Sequence, residues 1–207
     1  MPTTSPTPRV RVSSDTTADA SNPRYPVTIV ILHWIVAAGV LALVATGLYM
    51  VDLPKNTGQR AVLFNLHKSL GILTAGFMVA LIVWRSRRRP PEFPITMPRW
   101  ERRGAAVNHA LFYLLMVFVT VSGYLTSSFS KYGPKLFGVE LPHWGWDDAV
   151  LRGHFADSHR LSAWIFAVLI ALHAAAAVKH LVVDRDGVFQ RMLPRLKSER
   201  TAPASDR

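Results

Sequence analysis

Four stretches of this chain, residues 27–51, 61–84, 105–129 and 161–183, are too apolar to be the outer faces of a soluble protein. Each is close to the roughly 20 residues a helix needs to cross about 30 Å of hydrocarbon. The only charged side chains inside them are Lys68 and Lys179, both near a span end, where the long stem lets the ammonium reach the head groups. A water-soluble four-helix core needs polar faces repeating every 3.6 residues, and a run such as LFYLLMVFVTVSGYL has none. The predicted fold is therefore all-α and integral to the membrane. It is a bundle of four transmembrane helices at about 27–51, 61–84, 105–129 and 159–183.

Basic residues are distributed unevenly about those spans. Arg9, Arg11 and Arg24 precede the first, Arg85, Arg87, Arg88, Arg89, Arg99, Arg102 and Arg103 occupy the second connection, and seven more lie from Lys179 onward. That puts 17 of the 24 lysines and arginines on one side, and the positive-inside rule assigns that side, with both termini, to the cytoplasm. The net charge of +11 then follows from topology, with anionic lipid head groups as the partner. Nucleic acid is excluded as a partner, because the basic residues form short membrane-flanking clusters without a nucleic-acid-binding module.

Residues 1–24 read as a disordered cytoplasmic tail rich in Ser, Thr, Pro and Asp. The first apolar run begins too late and is too long for the h-region of a cleaved signal peptide, so the first span is expected to be retained. Residues 25–194 form one domain without internal repeats, and residues 195–207 a basic, polar C-terminal tail. The proline-rich stretch 85–103 reads as an exposed connection. Residues 130–158 read as the longest connection, with Trp144 and Trp146 as interfacial anchors and His143 and His154 as solvated loop residues.

Four histidines, His33, His67, His159 and His173, lie in or at the ends of these spans, where a titratable side chain needs a reason to be. His159 and His173 share one helix fourteen residues apart, which is roughly 21 Å of rise and within about 40° of the same face. His33 lies roughly 13 Å in from Arg24, and His173 roughly 16 Å in from the same side. His67 lies roughly 10 Å in from the opposite side, close to the depth of His159. Matching depths pair His33 with His173 and His67 with His159, as two stacked bis-histidine iron sites for two haems would require. Zinc or copper favours a compact set of three or four ligands with a carboxylate or thiolate nearby, which this pattern does not supply. The chain has no cysteine. That excludes C-x-x-C-H haem attachment, cysteine-ligated iron-sulfur clusters and disulfides, so a haem here is noncovalent and b-type.

Other residues admit two readings. Gly39, Gly47, Gly71, Gly76 and Gly123, and the run of alanines from Ala174 to Ala177, either give a flat porphyrin close access to backbone or serve helix packing. Lys68 and Arg160 adjoin His67 and His159, and either pair with haem propionates or snorkel to lipid phosphate.

The motifs LHW around His33, FNLHKSLG around His67, NHALFYLL in the third span and SHRLSAWIFAVLIALHAAAAVKH through His159 and His173 resemble the bacterial cytochrome b561 family over roughly residues 24–194. The resemblance implies a multi-pass protein of the bacterial inner membrane, a four-helix bundle with two b haems that passes electrons between a periplasmic partner and quinone. One member of that family takes electrons from superoxide and reduces ubiquinone. By that analogy Lys68, Arg160, Lys131 and Lys135 are candidates to attract superoxide, although Glu140, Asp147, Asp148 and Asp157 in the same region weaken a positive funnel. His109, expected to open the third helix, and His180, expected to close the fourth, are candidates for a quinone site that needs proton donors at the membrane boundary. Two other classes of function stay open: a cytochrome b subunit anchoring a periplasmic dehydrogenase or hydrogenase, and a haem-free membrane protein whose histidines serve packing or proton transfer. A homodimer is compatible with any of them.

Overall fold

The computed structural model describes residues 24–88, 91–95 and 97–194. The disordered N-terminal tail expected before residue 24 and the C-terminal tail expected at 195–207 lie outside the described residues. Four long helices carry the fold: α1 (Val27–Asp52), α2 (Gly58–Ser86), α3 (Arg99–Ser128) and α4 (Ala149–Lys179). All four are long and apolar enough to cross a membrane. Hydrocarbon offers no partner to a bare N–H or C=O, and a helix satisfies its own ladder. Large apolar side chains on their outer faces, among them Leu41, Val62, Leu114 and Leu161, stay exposed, as lipid-facing residues do.

Helix ends differ from the sequence reading where polar chemistry, rather than hydropathy, sets them. The fourth helix begins at Ala149 instead of near 159, because the Asp148 carboxylate accepts from the backbone N–H groups of Val150 and Leu151 at 2.9 and 3.0 Å and caps it. The long connection is correspondingly 129–148, and His154 lies on the helix. The third helix starts directly after Pro98, its extended N-cap residue, so the second connection is 87–98. His109 lies about 15 Å along α3 instead of at its opening.

At one end of the bundle the start of α1, the short turn at residues 189–192 and the second connection meet. Arg102 donates to the carbonyls of Met97 at 3.0 Å and Pro94 at 2.9 Å. Arg191 donates to the Glu92 carbonyl at 2.6 Å, and Trp34 Nε1 to the Met192 carbonyl at 2.7 Å. At the other end a two-stranded antiparallel hairpin, β1 (Lys135–Leu136) and β2 (Val139–Glu140), pairs Lys135 with Glu140 and Leu136 with Val139. Its turn places Phe137 (φ 48°) and Gly138 (φ 89°) in left-handed conformations, which the tight hairpin geometry demands. The Phe137 N–H is taken up by the fully buried Ser69 hydroxyl on α2 at 2.8 Å, so the hairpin is docked on the bundle. These two ends are called below the terminus side and the hairpin side.

α1 packs closely on α2 and α3 on α4, whereas α4 has no comparably close backbone packing with α1 or α2. Where the two helix pairs face each other, Val40, Met116 and Phe166 belong to a buried apolar cluster, and Phe112 packs edge-on against Phe166 at 5.5 Å between ring centres.

Candidate functional site: two levels of paired histidines

Each helix carries one inward stripe repeating every seven residues, a step that returns within about 20° of the same face. The stripes are His33, Val40 and Gly47 on α1; His67, Thr74 and Leu81 on α2; His109, Met116 and Gly123 on α3; His159, Phe166 and His173 on α4. The central member of every stripe is buried: Val40, Thr74, Met116 and Phe166. Since neighbouring helices run antiparallel, the stripe ends fall into two levels. His33, His109 and His173 share the terminus side, and His67 and His159 the hairpin side, where Gly47 and Gly123 complete the level.

Within each level the structure opposes one pair across the gap between the helix pairs. The ring centres of His33 and His173 are 6.3 Å apart, and those of His67 and His159 6.2 Å. A metal-bound imidazole nitrogen sits about 2.0–2.1 Å from its ion and about 1.1 Å from its own ring centre, so two imidazoles on opposite sides of one ion have centres about 6.3 Å apart. Both pairs match that span, and α4 has no close backbone packing with α1 or α2 between them. The residues present therefore fit two bis-histidine haems.

Three of the four rings have a polar group facing Nδ1. His159 Nδ1 donates to the Val119 carbonyl at 2.8 Å, since a carbonyl only accepts. His67 Nδ1 lies 3.1 Å from the Thr46 hydroxyl. On the terminus side His173 Nδ1 lies 3.5 Å from the Asn108 amide, and its ring is flanked edge-on by His109 at 5.6 Å and Phe112 at 5.4 Å. Where Nδ1 donates to an oxygen, as at His159, Nε2 is left for a metal, the usual division of labour in metal-binding histidines; the Asn108 amide nitrogen, a donor only, does not fix His173 in that way. Two glycines are required by the approach of these rings. A Cβ on Gly123 would lie 2.9 Å from His159 Nδ1, and one on Gly47 3.3 Å from His67 Cε1.

The other candidate residues are placed as follows. Lys68 reaches the Gly133 carbonyl at 3.4 Å, which also accepts from the Ser127 hydroxyl at 2.7 Å. Arg160 is ion-paired with Asp157 at 2.9 Å on an exposed face, Lys135 with Glu140 at 3.1 Å, and Lys131 lies over the Tyr132 ring. The hairpin side is thus a mixed-charge surface. His109 joins His173, as described. His180 opens a π-helical turn (His180–Asp184) that continues α4, and its Nδ1 faces Asp186 at 2.9 Å and Asp184 at 3.2 Å. Beside it Lys179 bridges Glu101 at 2.9 Å and Asp184 at 2.6 Å, so this intramembrane lysine is neutralised at the boundary. Thr46 and Asn108 were not singled out from the sequence. The sequence offers the fourteen-residue spacing of His159 and His173 and places Gly47 and Gly123 among glycines that either admit a porphyrin or serve packing, but it offers no signal for hydrogen bonds between helices.

A four-span bundle that presents opposed imidazoles between facing helices has the form of a membrane cytochrome of the b type. The chain belongs to the prokaryotic cytochrome b561 family, whose model matches residues 24–195. It is similar to cytochrome b561 homolog 2 of Escherichia coli (strain K12), at 33% identity over 178 residues, 85% of this chain and 94% of the relative. It is also similar to cytochrome b561 homolog 1 of the same organism, at 24% identity over 174 residues, 84% of this chain and 99% of the relative. Membership makes this a multi-pass inner-membrane protein that binds b-type haem and transfers electrons.

Proposed function

We propose that this chain is a di-haem cytochrome, with His33 and His173 ligating one iron and His67 and His159 the other, that carries electrons between periplasmic superoxide and ubiquinone. The observation that carries the two-haem reading is the pair of ring-centre separations, 6.3 and 6.2 Å, at opposite ends of one bundle. When bound, the haems supply one-electron carriers, which suit a one-electron donor such as superoxide. The protein's share is to hold the imidazoles, keep water from the mid-bundle through Val40, Met116 and Phe166, and manage protons and charge at the two faces.

Ten described basic residues, among them Arg24, Arg85, Arg102, Lys179 and Arg191, flank the terminus side, and the positive-inside rule makes that side the cytoplasmic one. Quinone reduction consumes protons, and the His180 imidazole, which faces Asp184 and Asp186, is the candidate group at that boundary. His109 lies deeper, beside His173. Lys68 and Arg160 each adjoin a proposed ligand on the hairpin side; Arg160 is taken up by Asp157, and Lys68, against the Gly133 carbonyl, is the one suited to a propionate or an approaching anion.

The test is stopped-flow spectroscopy on the oxidised purified protein. Superoxide is expected to reduce the haems and ubiquinone to reoxidise them, with no other protein present. Haems that ignore superoxide would overturn the self-contained reading and favour an anchor subunit for a periplasmic dehydrogenase or hydrogenase, which would copurify with its partner.

A further inference from the structure

The hairpin-side pair is held from behind by a device that the other pair lacks. Thr46 Oγ1 donates its own proton to the Ala42 carbonyl at 2.7 Å, with the Leu43 carbonyl at 3.2 Å as an alternative. The same oxygen, 3.1 Å from His67 Nδ1, is then left to accept, so Nδ1 carries the hydrogen and Nε2 is the free lone pair on the side of His159. Across the gap His159 makes the equivalent donation to the Val119 carbonyl. Both imidazoles of this level thus give a proton to an oxygen, which makes each ring a better electron donor.

On the terminus side the corresponding contact is a 3.5 Å approach to an amide nitrogen at His173. That is at the limit of hydrogen bonding and does not strengthen the ring in the same way.

From this difference, and resting on the proposed ligation, we infer that Thr46 is a positioning residue for one haem only. It fixes the tautomer and orientation of His67 and lowers the reduction potential of the His67/His159 site relative to a site without that hydroxyl. Greater donation from the axial ring favours the oxidised iron, and hydrogen bonding behind the ligand is one of the levers that set haem potential. Thr46 touches neither the proposed iron position nor any substrate, and acts through the imidazole alone. Its neighbour Gly47 gives His67 room, so one turn of α1 both admits the ring and orients it.

The experiment compares Thr46→Val, which keeps the shape and removes the oxygen, with Thr46→Ser, which keeps the oxygen. Each is read by a spectroscopic redox titration of the purified haem-loaded protein. The potential belonging to the His67/His159 site is identified as the one that disappears in His159→Leu. In T46V that potential is expected to rise, haem retention at that site to weaken by about 10- to 100-fold, and the His33/His173 potential to stay in place. T46S is expected to return both properties to wild-type values. Should T46V lose the haem altogether, Thr46→Ala supplies the potential. If neither oxygen-free variant retains that haem while T46S does, the orienting role stands.

An unchanged potential in T46V or T46A, an equal shift at both sites, or the same shift in T46S would overturn the inference. Those results leave the two-haem reading intact. A wild-type protein with one haem, unaffected by His159→Leu, would instead overturn the reading on which the inference rests.

Discussion

The two histidine levels have nearly the same ring separation but reach it with different surroundings. On the hairpin side two imidazoles are backed by oxygens, from Thr46 and the Val119 carbonyl, and faced by two glycines. On the terminus side the pair is joined by a third histidine, His109, and by Phe112, with only a long amide contact behind His173. The first level is organised by hydrogen bonds and tight backbone approach, the second by aromatic packing. On the proposed ligation the shared spacing serves the iron, while the backing of each ring is where the sites can differ in potential and in their tolerance of substitution.

The largest effect should come from removing one ligand. His159→Leu and His173→Leu are each expected to halve the haem content per chain, measured by extraction and quantification of the porphyrin, and to abolish a different one of the two reduction steps. If both variants removed the same step, the division into two levels would fail.

Gly123→Val should come next, because its Cβ alone would meet His159 Nδ1 at 2.9 Å and the ring would have to leave its place. Overpacking of this kind costs about 1–3 kcal/mol. The expected outcome is loss or displacement of the hairpin-side haem with the other retained, read from the visible spectrum of the reduced protein. Gly47→Ala, with 3.3 Å of clearance, should be the milder of the two.

A third substitution separates the docked hairpin from the haem sites. Ser69→Ala removes the acceptor of the Phe137 N–H, at about 1–3 kcal/mol for a polar group left unpaired. It should lower thermal stability in detergent while leaving the redox titration unchanged. The smallest effect is expected from Asn108→Leu. A 3.5 Å contact carries little, so the His173 site should shift less than the His67 site does in Thr46→Val. A larger shift there would reverse the contrast between the levels.

Much of this arrangement was legible before any coordinates. A histidine in hydrocarbon is conspicuous, and the fourteen-residue spacing of His159 and His173 reads directly as two depths on one helix face. What hydropathy could not show was the start of α4. The segment 149–158 interrupts its apolar residues with Arg152, Gly153, His154, Asp157 and Ser158, and its helicity depends on the Asp148 cap and on extension beyond the apolar stretch. Nor could it show Thr46 or Asn108. A threonine inside a span usually bonds its own helix, as Thr46 does with Ala42, and its second partner exists only because α2 packs against α1. The candidate cations and the acidic residues that weaken a positive funnel were both visible in the sequence, but the pairing of Arg160 with Asp157 and of Lys135 with Glu140 depends on the fold of residues 129–148 and of the first turns of α4.

The most direct measurement is the haem count of the purified wild-type protein together with its low-temperature electron paramagnetic resonance spectrum. The account predicts two haems per chain, both low-spin with two nitrogen axial ligands, and two separable reduction steps. One haem per chain, or a high-spin iron with an open axial position in the intact protein, would contradict it.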